Sequence, residues 1–198
     1  GGVWRAGGGG GGLGVVNGCG EGGGGRMHAR INSSGLKEII EGTEIAHEFR
    51  KIYACSFLYD VDGIAYWPAV AVNYTNKTQF IFKINKGVES VFDSKLVNRY
   101  IPENERPVPF KRMIYVGDGT TDIPCMRLVK SSGGHSIAVY NPEQKGARRE
   151  LSSLIHDNRV SHVCPADYSD GSEMDTLVKT IIDKIVVDHR LEQLEVVK

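Results

Sequence analysis

The stretch RMIYVGDGTTDIPCMRLVKSSGGHSIAVYNP, residues 112–142, decides the fold of this 198-residue chain. Met113 to Val116 form a short, continuous apolar run, which is typical of a strand buried on both faces. A segment with helical spacing follows, and Gly133-Gly134 then leads into a second apolar run from Ser136 to Tyr140. A strand, a helix and a strand within about 30 residues predict a parallel crossover unit.

The flanking segments extend this unit into an α/β domain. Val160 to Cys164 predicts another strand, and the segment from about Ser172 predicts a final helix with one apolar face. Residues 51–87 predict short strands or hairpins, with turns at Asp62-Gly63 and Asn76-Lys77. We therefore expect a Rossmann-like, doubly wound parallel sheet with helices on both faces and a small cap or none.

Two further helices are predicted between these elements. The segment LKEIIEGTEIAHEF, residues 36–49, has the apolar spacing of a short amphipathic helix, and Ser33-Ser34-Gly35 precedes it with a serine able to cap its start. Residues 87–104 also carry apolar side chains at three- and four-residue steps. Prolines after this segment, at Pro107 and Pro109, predict a loop.

Composition and charge exclude several classes of protein. The 24 Lys and Arg residues balance 24 Asp and Glu residues, so the chain lacks the positive charge of a nucleic-acid binder. No apolar run approaches the roughly 20 residues that span a bilayer, and no signal-peptide pattern opens the sequence. The cysteines lie far apart and form no metal-binding motif: Cys19, Cys55, Cys125 and Cys164. We expect reduced thiols in a cytoplasmic protein that binds neither nucleic acid nor membrane.

Residues 1–32 form an anomalous, glycine-rich segment. Fifteen of the 25 glycines fall within residues 1–25, whereas globular chains average about 7% glycine. This composition predicts a disordered linker rather than a strand of a packed sheet. Gly20 to Gly25 formally satisfies the G-x-G-x-x-G dinucleotide pattern, but a polyglycine tract does so almost automatically. We therefore divide the chain into this segment and a domain spanning residues 33–198.

Gly117 to Asp122 has the composition of a ligand site. Ligands of open α/β sheets bind beyond the carboxyl ends of the strands, where this segment is predicted to lie. Asp118 would project from the strand end and Asp122 from one turn later, so the two carboxylates could share a Mg²⁺ ion. The alternative is a solvated turn whose aspartates cap the next helix.

From Ser33 onward, over some 166 residues, the chain resembles the haloacid dehalogenase-like hydrolases, and within them the phosphoserine-phosphatase-like branch. Gly-Asp-Gly-Thr-Thr-Asp after an apolar strand is similar to the fourth motif of that family, which implies that Asp118 ligates Mg²⁺ and Asp122 supports it. Ser33-Ser34-Gly35 resembles the second motif, in which a serine hydroxyl and a backbone amide hold a phosphoryl oxygen. Ser33 is the better match to that serine.

The third motif of the family is a lysine that neutralises a phosphoaspartyl intermediate. Lys86 in Asn85-Lys86-Gly87 is our choice, and Lys77 and Lys83 are the alternatives. The resemblance implies a Mg²⁺-dependent phosphohydrolase that acts on a small phosphorylated substrate through an aspartyl-phosphate intermediate. The implied catalytic residues are Ser33, Lys86 and Asp122, the phosphate-binding residues are Ser33, Ser34, Gly35 and Lys86, and the metal ligands are Asp118 and Asp122.

The nucleophile of that family does not occur in this sequence. The family carries an Asp-x-Asp pair at the end of its first strand, whereas this chain has no Asp before Asp60, and Glu21 is the one acidic residue among the first 37. The segment RMHARIN before Ser33 also lacks the apolar character of the family's strand there. We favour the explanation that residues 1–32 do not report the natural sequence. The alternative function is a non-catalytic phospho-ligand or protein-binding module.

Overall fold

The computed structural model describes residues 14–19, for which we consider the backbone alone, and residues 27–195. Seven strands and six α-helices lie within this part of the chain. The strands are β1 (Gly14–Cys19), β2 (Met27–Leu36), β3 (Phe49–Tyr59), β4 (Ala65–Val70), β5 (Met113–Gly117), β6 (His135–Tyr140) and β7 (His162–Pro165). The helices are α1 (Lys37–Glu41), α2 (Lys77–Asn85), α3 (Lys95–Asn98), α4 (Ile123–Ser131), α5 (Ala147–His156) and α6 (Glu173–Glu195).

The strands form one mixed sheet in the order β4-β3-β2-β1-β5-β6-β7. β2 runs parallel to β3, and β5, β6 and β7 run parallel to one another. β1 is antiparallel to both β2 and β5, so β2 and β5 point in the same direction. The five strands other than β1 and β4 are therefore all parallel to one another. The Rossmann-like α/β fold is therefore confirmed, but β1 and the hairpin strand β4 make the sheet mixed instead of wholly parallel.

Side-chain alternation along β5 divides the core between the two faces of the sheet. Met113 and Tyr115 pack with residues of α2, α4 and α5 on one face. Ile114 and Val116 pack with residues of α6 on the other face. Burying one large apolar side chain contributes about 1.5–3 kcal/mol. Because β5 buries two such side chains on each face, it stabilises the packing of both helical layers against the sheet. The prediction of helices on both faces is confirmed.

The crossover unit around β5 forms as predicted. β5, α4 and β6 follow the predicted order, and β7 and α6 begin within two residues of the predicted positions. Gly134 is required between α4 and β6, because a Cβ atom there would lie 2.3 Å from the carbonyl oxygen of Phe110. This contact fixes the entry of the chain into β6.

The serine segment at the end of β2 differs from its prediction. Ser33, Ser34 and Gly35 lie within the strand, whereas α1 begins at Lys37 without a side-chain cap. β2 has neighbours on both sides, and Ile31 to Ser33 are buried, so pairing and burial extend the strand past the serines. The prediction that a serine caps a helix here is wrong.

The segment before α2 also differs from its prediction. Asn76-Lys77 is not a hairpin turn, since Lys77 is the first residue of α2. Asn73 and Asn76 organise the preceding loop: the amide of Asn73 donates to Asn76 Oδ1 at 2.8 Å, and Asn76 Nδ2 donates to the carbonyl of Ala71 at 2.7 Å. This loop sets the position at which Lys77 enters the fold.

Two other local predictions have opposite outcomes. The turn at Asp62-Gly63 is confirmed, since it joins β3 to β4 and Gly63 has a φ of +78°. The helix predicted over residues 87–104 is wrong apart from the four residues of α3, because the rest of this segment forms loops and a 3-10 turn. Between β2 and α2 the described chain contains no separate cap domain, as expected.

The glycine-rich segment contributes to the sheet. β1 is its central strand and β2 begins at Met27, so the sheet crosses the boundary placed at residue 33. The prediction of a disordered linker is therefore wrong for Gly14–Cys19, and Met27 to Asn32 of RMHARIN form a strand although they lack a continuous apolar run. The long polyglycine tract, Gly7–Gly12, and the dinucleotide-like match, Gly20–Gly25, lie outside the described residues.

Across residues 14–19 and 27–195, no helix combines the length and the apolar character needed to cross a membrane.

Candidate active site

The candidate site lies where β2 and β5 end, and we call this region the carboxyl edge: residues 32–35 and 117–122. β1 lies between the two strands, with Gly14 opposite Asn32 and Val15 opposite Val116. Because β1 is antiparallel to its neighbours, its amino end, rather than its carboxyl end, is at the carboxyl edge.

Asp122 is the centre of the site and is completely buried. It lies in the 3-10 turn Thr120–Asp122, which joins β5 to α4. Its Oδ1 atom accepts a hydrogen bond from Lys77 Nζ at 2.7 Å and another from the hydroxyl of Tyr115 at 2.6 Å. Its Oδ2 atom is buried and has no hydrogen-bond partner among the described residues. One oxygen of this carboxylate is therefore hydrogen-bonded twice, and the other has no partner within the described chain.

Gly117 allows Asp122 to fold back against the end of β5. A Cβ atom on Gly117 would lie 2.6 Å from the Cβ atom and 2.9 Å from the Cγ atom of Asp122. No side chain fits in that space, so the first glycine of the motif is a packing requirement. Gly119 is different, because a Cβ atom there would lie 3.6 Å from the nearest atom, Thr121 Oγ1.

Asp118 follows β5 directly and is exposed to solvent as a residue. The pKa of its carboxyl group is nonetheless raised, first by partial loss of water and second by the negative charge of Asp122, while Lys77 acts in the opposite direction. Tyr168, after β7, is also close: burial raises the pKa of its hydroxyl to about 12, and the charge of Asp118 adds to this effect. A cation beside Asp118 would relieve the repulsion between the two carboxylates.

The end of β2 supplies neutral polar groups. Ser33 is buried, and its Oγ atom accepts a hydrogen bond from the amide of Gly35 at 3.0 Å. Asn32 Nδ2 donates to the backbone carbonyl of Lys77 at 3.0 Å, which ties β2 to the start of α2. Asn32 Oδ1 and Ser34 Oγ are buried without hydrogen-bond partners in the described part of the chain.

The structure selects a different lysine from the one chosen from the sequence. Lys77 is completely buried against Asp122, whereas Lys86 Nζ donates to the carbonyl oxygens of Val97 and Arg99. Lys86 follows the opposite end of α2, about 13 Å further along the helix axis at 1.5 Å per residue. Lys77, rather than Lys86, is therefore the lysine that lies beside Asp122.

Lys83, the other alternative, also lies away from Asp122. Its ammonium group donates to the carbonyl oxygens of Ser90 and Asp93 at 3.0 and 2.6 Å. Of the three lysines considered from the sequence, Lys77 is the one that reaches the carboxyl edge.

Unpartnered polar atoms are concentrated at the carboxyl edge. Five buried side-chain nitrogen or oxygen atoms lack hydrogen-bond partners within the described residues, and three of them lie here: Asn32 Oδ1, Ser34 Oγ and Asp122 Oδ2. Buried polar atoms are nearly always hydrogen-bonded in folded proteins, so an excess in one place indicates a missing ligand or water. The carboxyl edge is the place where such a ligand would bind.

The residues at this edge fit Mg²⁺ within limits. No group of three or more His, Cys, Asp or Glu side chains that could hold a metal occurs in the described ranges. Mg²⁺ usually keeps several waters and binds one or two protein carboxylates, together with substrate phosphate. Asp118 and the free Oδ2 atom of Asp122 meet this requirement, whereas Asp122 Oδ1 is already bound to Lys77 and Tyr115.

A nucleophilic carboxylate is missing from the central strands. Neither β1, with the sequence GVVNGC, nor β2, with the sequence MHARINSSGL, carries an Asp or Glu residue. The place between Asn32 and Gly117 is taken by the amino end of β1, which begins with Gly14. The carboxyl edge thus combines a lysine, a serine and two aspartates without the expected attacking group.

Two residues of the cluster were not predicted from the sequence. Tyr115 lies in the apolar run of β5 and reads as a core residue, and Asn32 belongs to a segment with no clear strand pattern. Position could have identified Tyr115, since it precedes Gly117 by two residues and therefore lies on the same face of the strand. Nothing in the sequence singles out Asn32.

The fold and this cluster define a Rossmann-like α/β protein with a buried lysine–aspartate centre at the carboxyl edge of its sheet. No known family profile matches the chain, and no solved structure matches it. An uncharacterized protein from Borreliella burgdorferi is 29% identical to it over 172 residues, which cover 78% of this chain and 56% of that protein. The chain therefore spans little more than half the length of this relative.

Proposed function

We propose that the carboxyl edge is the Mg²⁺ and phosphate site of a cytoplasmic phosphohydrolase of the haloacid dehalogenase-like type, which acts on a small phosphorylated substrate. The observation that carries this proposal is the set of buried polar atoms at this edge, beside the Lys77–Asp122 pair, that have no hydrogen-bond partner among the described residues. Of these atoms, Asn32 Oδ1 and Asp122 Oδ2 are acceptors that suit a cation, whereas Ser34 Oγ can donate a hydrogen bond. The Ser33 hydroxyl and the Lys77 ammonium group add a donor and a positive charge, which phosphoryl oxygens need.

The roles of the residues follow from their contacts. Lys77, oriented by Asp122 Oδ1, places a positive charge where negative charge sits on the phosphoryl oxygens. The hydroxyl of Ser33 accepts from Gly35, which leaves its own hydrogen available to a phosphoryl oxygen. Asp118 and Asp122 Oδ2 would hold Mg²⁺, which supplies further charge neutralisation when bound.

The proposed hydrolase needs an attacking carboxylate, and the sequences of β1 and β2 do not contain one. We infer that residues 1–32 do not report the natural sequence. Intact-mass spectrometry of the protein expressed from its own gene tests this inference. A mass equal to that of the 198-residue sequence would contradict it, and a different mass with an Asp-x-Asp pair in the N-terminal peptide would support it.

A second function is favoured by one specific observation, the absence of any acidic residue from β1 and β2. A chain with this exact sequence would bind a phosphorylated ligand at the carboxyl edge without forming an aspartyl-phosphate intermediate. It would then serve as a phospho-ligand or protein-binding module.

Hydrolysis of an aryl phosphate separates the two functions. The hydrolase requires turnover that depends on Mg²⁺, is lost in Asp118→Asn, and is retained in Asp157→Asn, a change at an exposed position after α5. Absence of turnover by folded protein, together with Mg²⁺-dependent binding of inorganic phosphate, would indicate the binding module. If there is neither turnover nor phosphate binding, both functions are excluded.

The different positions of Lys77 and Lys86 allow a further test of the proposed phosphate site. Lys77→Met should abolish phosphate binding, whereas Lys86→Met should retain it because Lys86 contacts carbonyl oxygens beyond the opposite end of α2. The reverse result would return the phosphate site to Lys86.

A further inference from the structure

A cavity of about 420 Å³ lies at the opposite edge of the sheet from the candidate site, where β2 and β3 begin. Its lining includes His28 and Arg30 of β2, Arg50 of β3, and Gly87 to Glu89 after α2. We call it the Arg30 cavity. Its volume is within the range of about 300–1,000 Å³ that small-molecule sites occupy.

Arg30 is the unusual feature of this cavity. The residue is only 8% exposed, and the one hydrogen bond that its side chain makes to a described residue is a long contact from Nη1 to the carbonyl of His28, at 3.4 Å. A guanidinium group has five N–H donors, so most of them form no hydrogen bond with the described residues. Among the described residues, Arg30 forms no ion pair.

The nearest acidic group does not neutralise Arg30 directly. Glu89 also lines the cavity, but its Oε1 atom accepts hydrogen bonds from Arg50 Nε at 3.2 Å and Arg50 Nη2 at 2.8 Å. Lys83, a third cation in the lining, donates to two backbone carbonyls. The described lining therefore contains three cations, Arg30, Arg50 and Lys83, and two carboxylates, Glu89 and Glu105.

A buried cation without a partner is costly, and folded proteins normally pair such a group with an anion. Guanidinium groups suit planar or tetrahedral oxyanions, which they bind through two parallel hydrogen bonds. We propose that the Arg30 cavity binds a small molecule through a phosphate or carboxylate group held by Arg30. This site is separate from the carboxyl edge and does not depend on the proposed function.

NMR titration of ¹⁵N-labelled wild-type protein tests the proposal. Inorganic phosphate and succinate are added in separate experiments, at constant ionic strength and with a chelator present to remove Mg²⁺. Saturable shifts of the amides of residues 28–30, 50 and 87–89 are expected with at least one of the two anions. The anion that binds more tightly identifies the oxyanion class.

Shifts confined to residues 33–35 and 117–119 would place anion binding at the carboxyl edge alone and overturn the proposal. The absence of saturable shifts with both anions would overturn it as well. These results leave the proposed hydrolase function untouched, because that function is judged on Asp118 and turnover.

Arg30→Met supplies a second test. Loss of charge-assisted hydrogen bonds should weaken anion binding by at least about tenfold. The melting temperature without anion should stay equal or rise, because an unpaired buried charge has been removed. Arg149→Met, a matched change at an exposed position on α5, should alter neither quantity. Unchanged anion affinity in Arg30→Met would contradict the assignment, and the wild-type titration decides the question if this variant does not fold.

Discussion

Lys77 and Asp122 form an ion pair at 2.7 Å in which both side chains are completely buried, although 45 residues separate them in the chain. The pair joins the start of α2 to the turn that leads into α4. A buried pair of this kind holds both side chains in one geometry, but it tolerates poorly the loss of one partner.

We expect Lys77→Met to lower the free energy of unfolding by about 3–5 kcal/mol, because it leaves the Asp122 carboxylate buried with one hydrogen bond fewer. The double variant Lys77→Met/Asp122→Leu should cost less than the sum of the single changes, since it removes both charges. Urea denaturation of the three variants measures these differences. The control is Lys179→Met, which removes the ion pairs of an exposed lysine with Asp170 and Asp175 and should cost far less than Lys77→Met, because exposed pairs contribute little. Equal costs for Lys77→Met and Lys179→Met would show that the buried pair contributes little.

Gly117→Ala should destabilise the protein by about 1–3 kcal/mol, because the added methyl group overlaps the side chain of Asp122. Gly119→Ala is the matched control two residues away, where the added atom has room, and it should change stability by no more than about 0.5 kcal/mol. Urea denaturation of both variants is the measurement. If the two changes cost the same, Asp122 does not pack against the end of β5 as described.

Cys125 and Cys164 should resist alkylation in the folded protein. Both are buried, and burial is the main cause that raises the pKa of Cys125 to about 12 and that of Cys164 to about 11. Because the thiolate is the reactive form, iodoacetamide at pH 8 should label the half-buried Cys55 first. Peptide mass spectrometry reports the rates, with protein in concentrated urea as the control. Labelling of Cys125 at the rate of Cys55 would contradict the burial of α4.

Stability should fall as the pH drops below about 6.5. Burial is the main cause that lowers the pKa of His135 and of His162, so the folded state favours their neutral forms. Their contribution is complete above the unfolded pKa and is lost as the pH falls through the lower folded pKa, because the unfolded chain then binds more protons. His135→Gln/His162→Gln should flatten the decline in urea denaturation between pH 7 and pH 5. The exposed His47→Gln should not flatten it, and the same slope in all three proteins would contradict the prediction.

The elements with strong sequence patterns were predictable. The apolar run of β5, the glycine pair before β6 and the apolar face of α6 each depend on local periodicity and on burial in adjacent layers, which the sequence records directly. β1 and β2 were not predictable, because Gly14–Cys19 lacks strand propensity and is held by pairing on both sides. Tertiary pairing overrides local preference in such strands.

The site was predictable where one motif contains it and not where distant segments meet. Gly117, Asp118 and Asp122 lie within six residues, so their proximity follows from a strand that leads into a helix. The sequence favours Lys86 over Lys77, because Asn85-Lys86-Gly87 reads as the start of a helix before β5. In the structure Lys77 begins α2 and Lys86 follows its end, and the direction of this helix decides which lysine reaches Asp122. That direction depends on the loop formed by Asn73 and Asn76, which a sequence pattern does not specify.

The antiparallel direction of β1 limits how a substitution could place a nucleophile at the carboxyl edge. Seven residues, 20–26, separate β1 from β2, which is enough to join antiparallel neighbours. A parallel pair would need a crossover of about a dozen residues or more. An aspartate at the carboxyl end of β1 would therefore lie at the far edge of the sheet from Asp122. A nucleophile at the carboxyl end of the central strand would require β1 to run parallel to its neighbours. This change needs a longer connection between β1 and β2, which a substitution cannot supply.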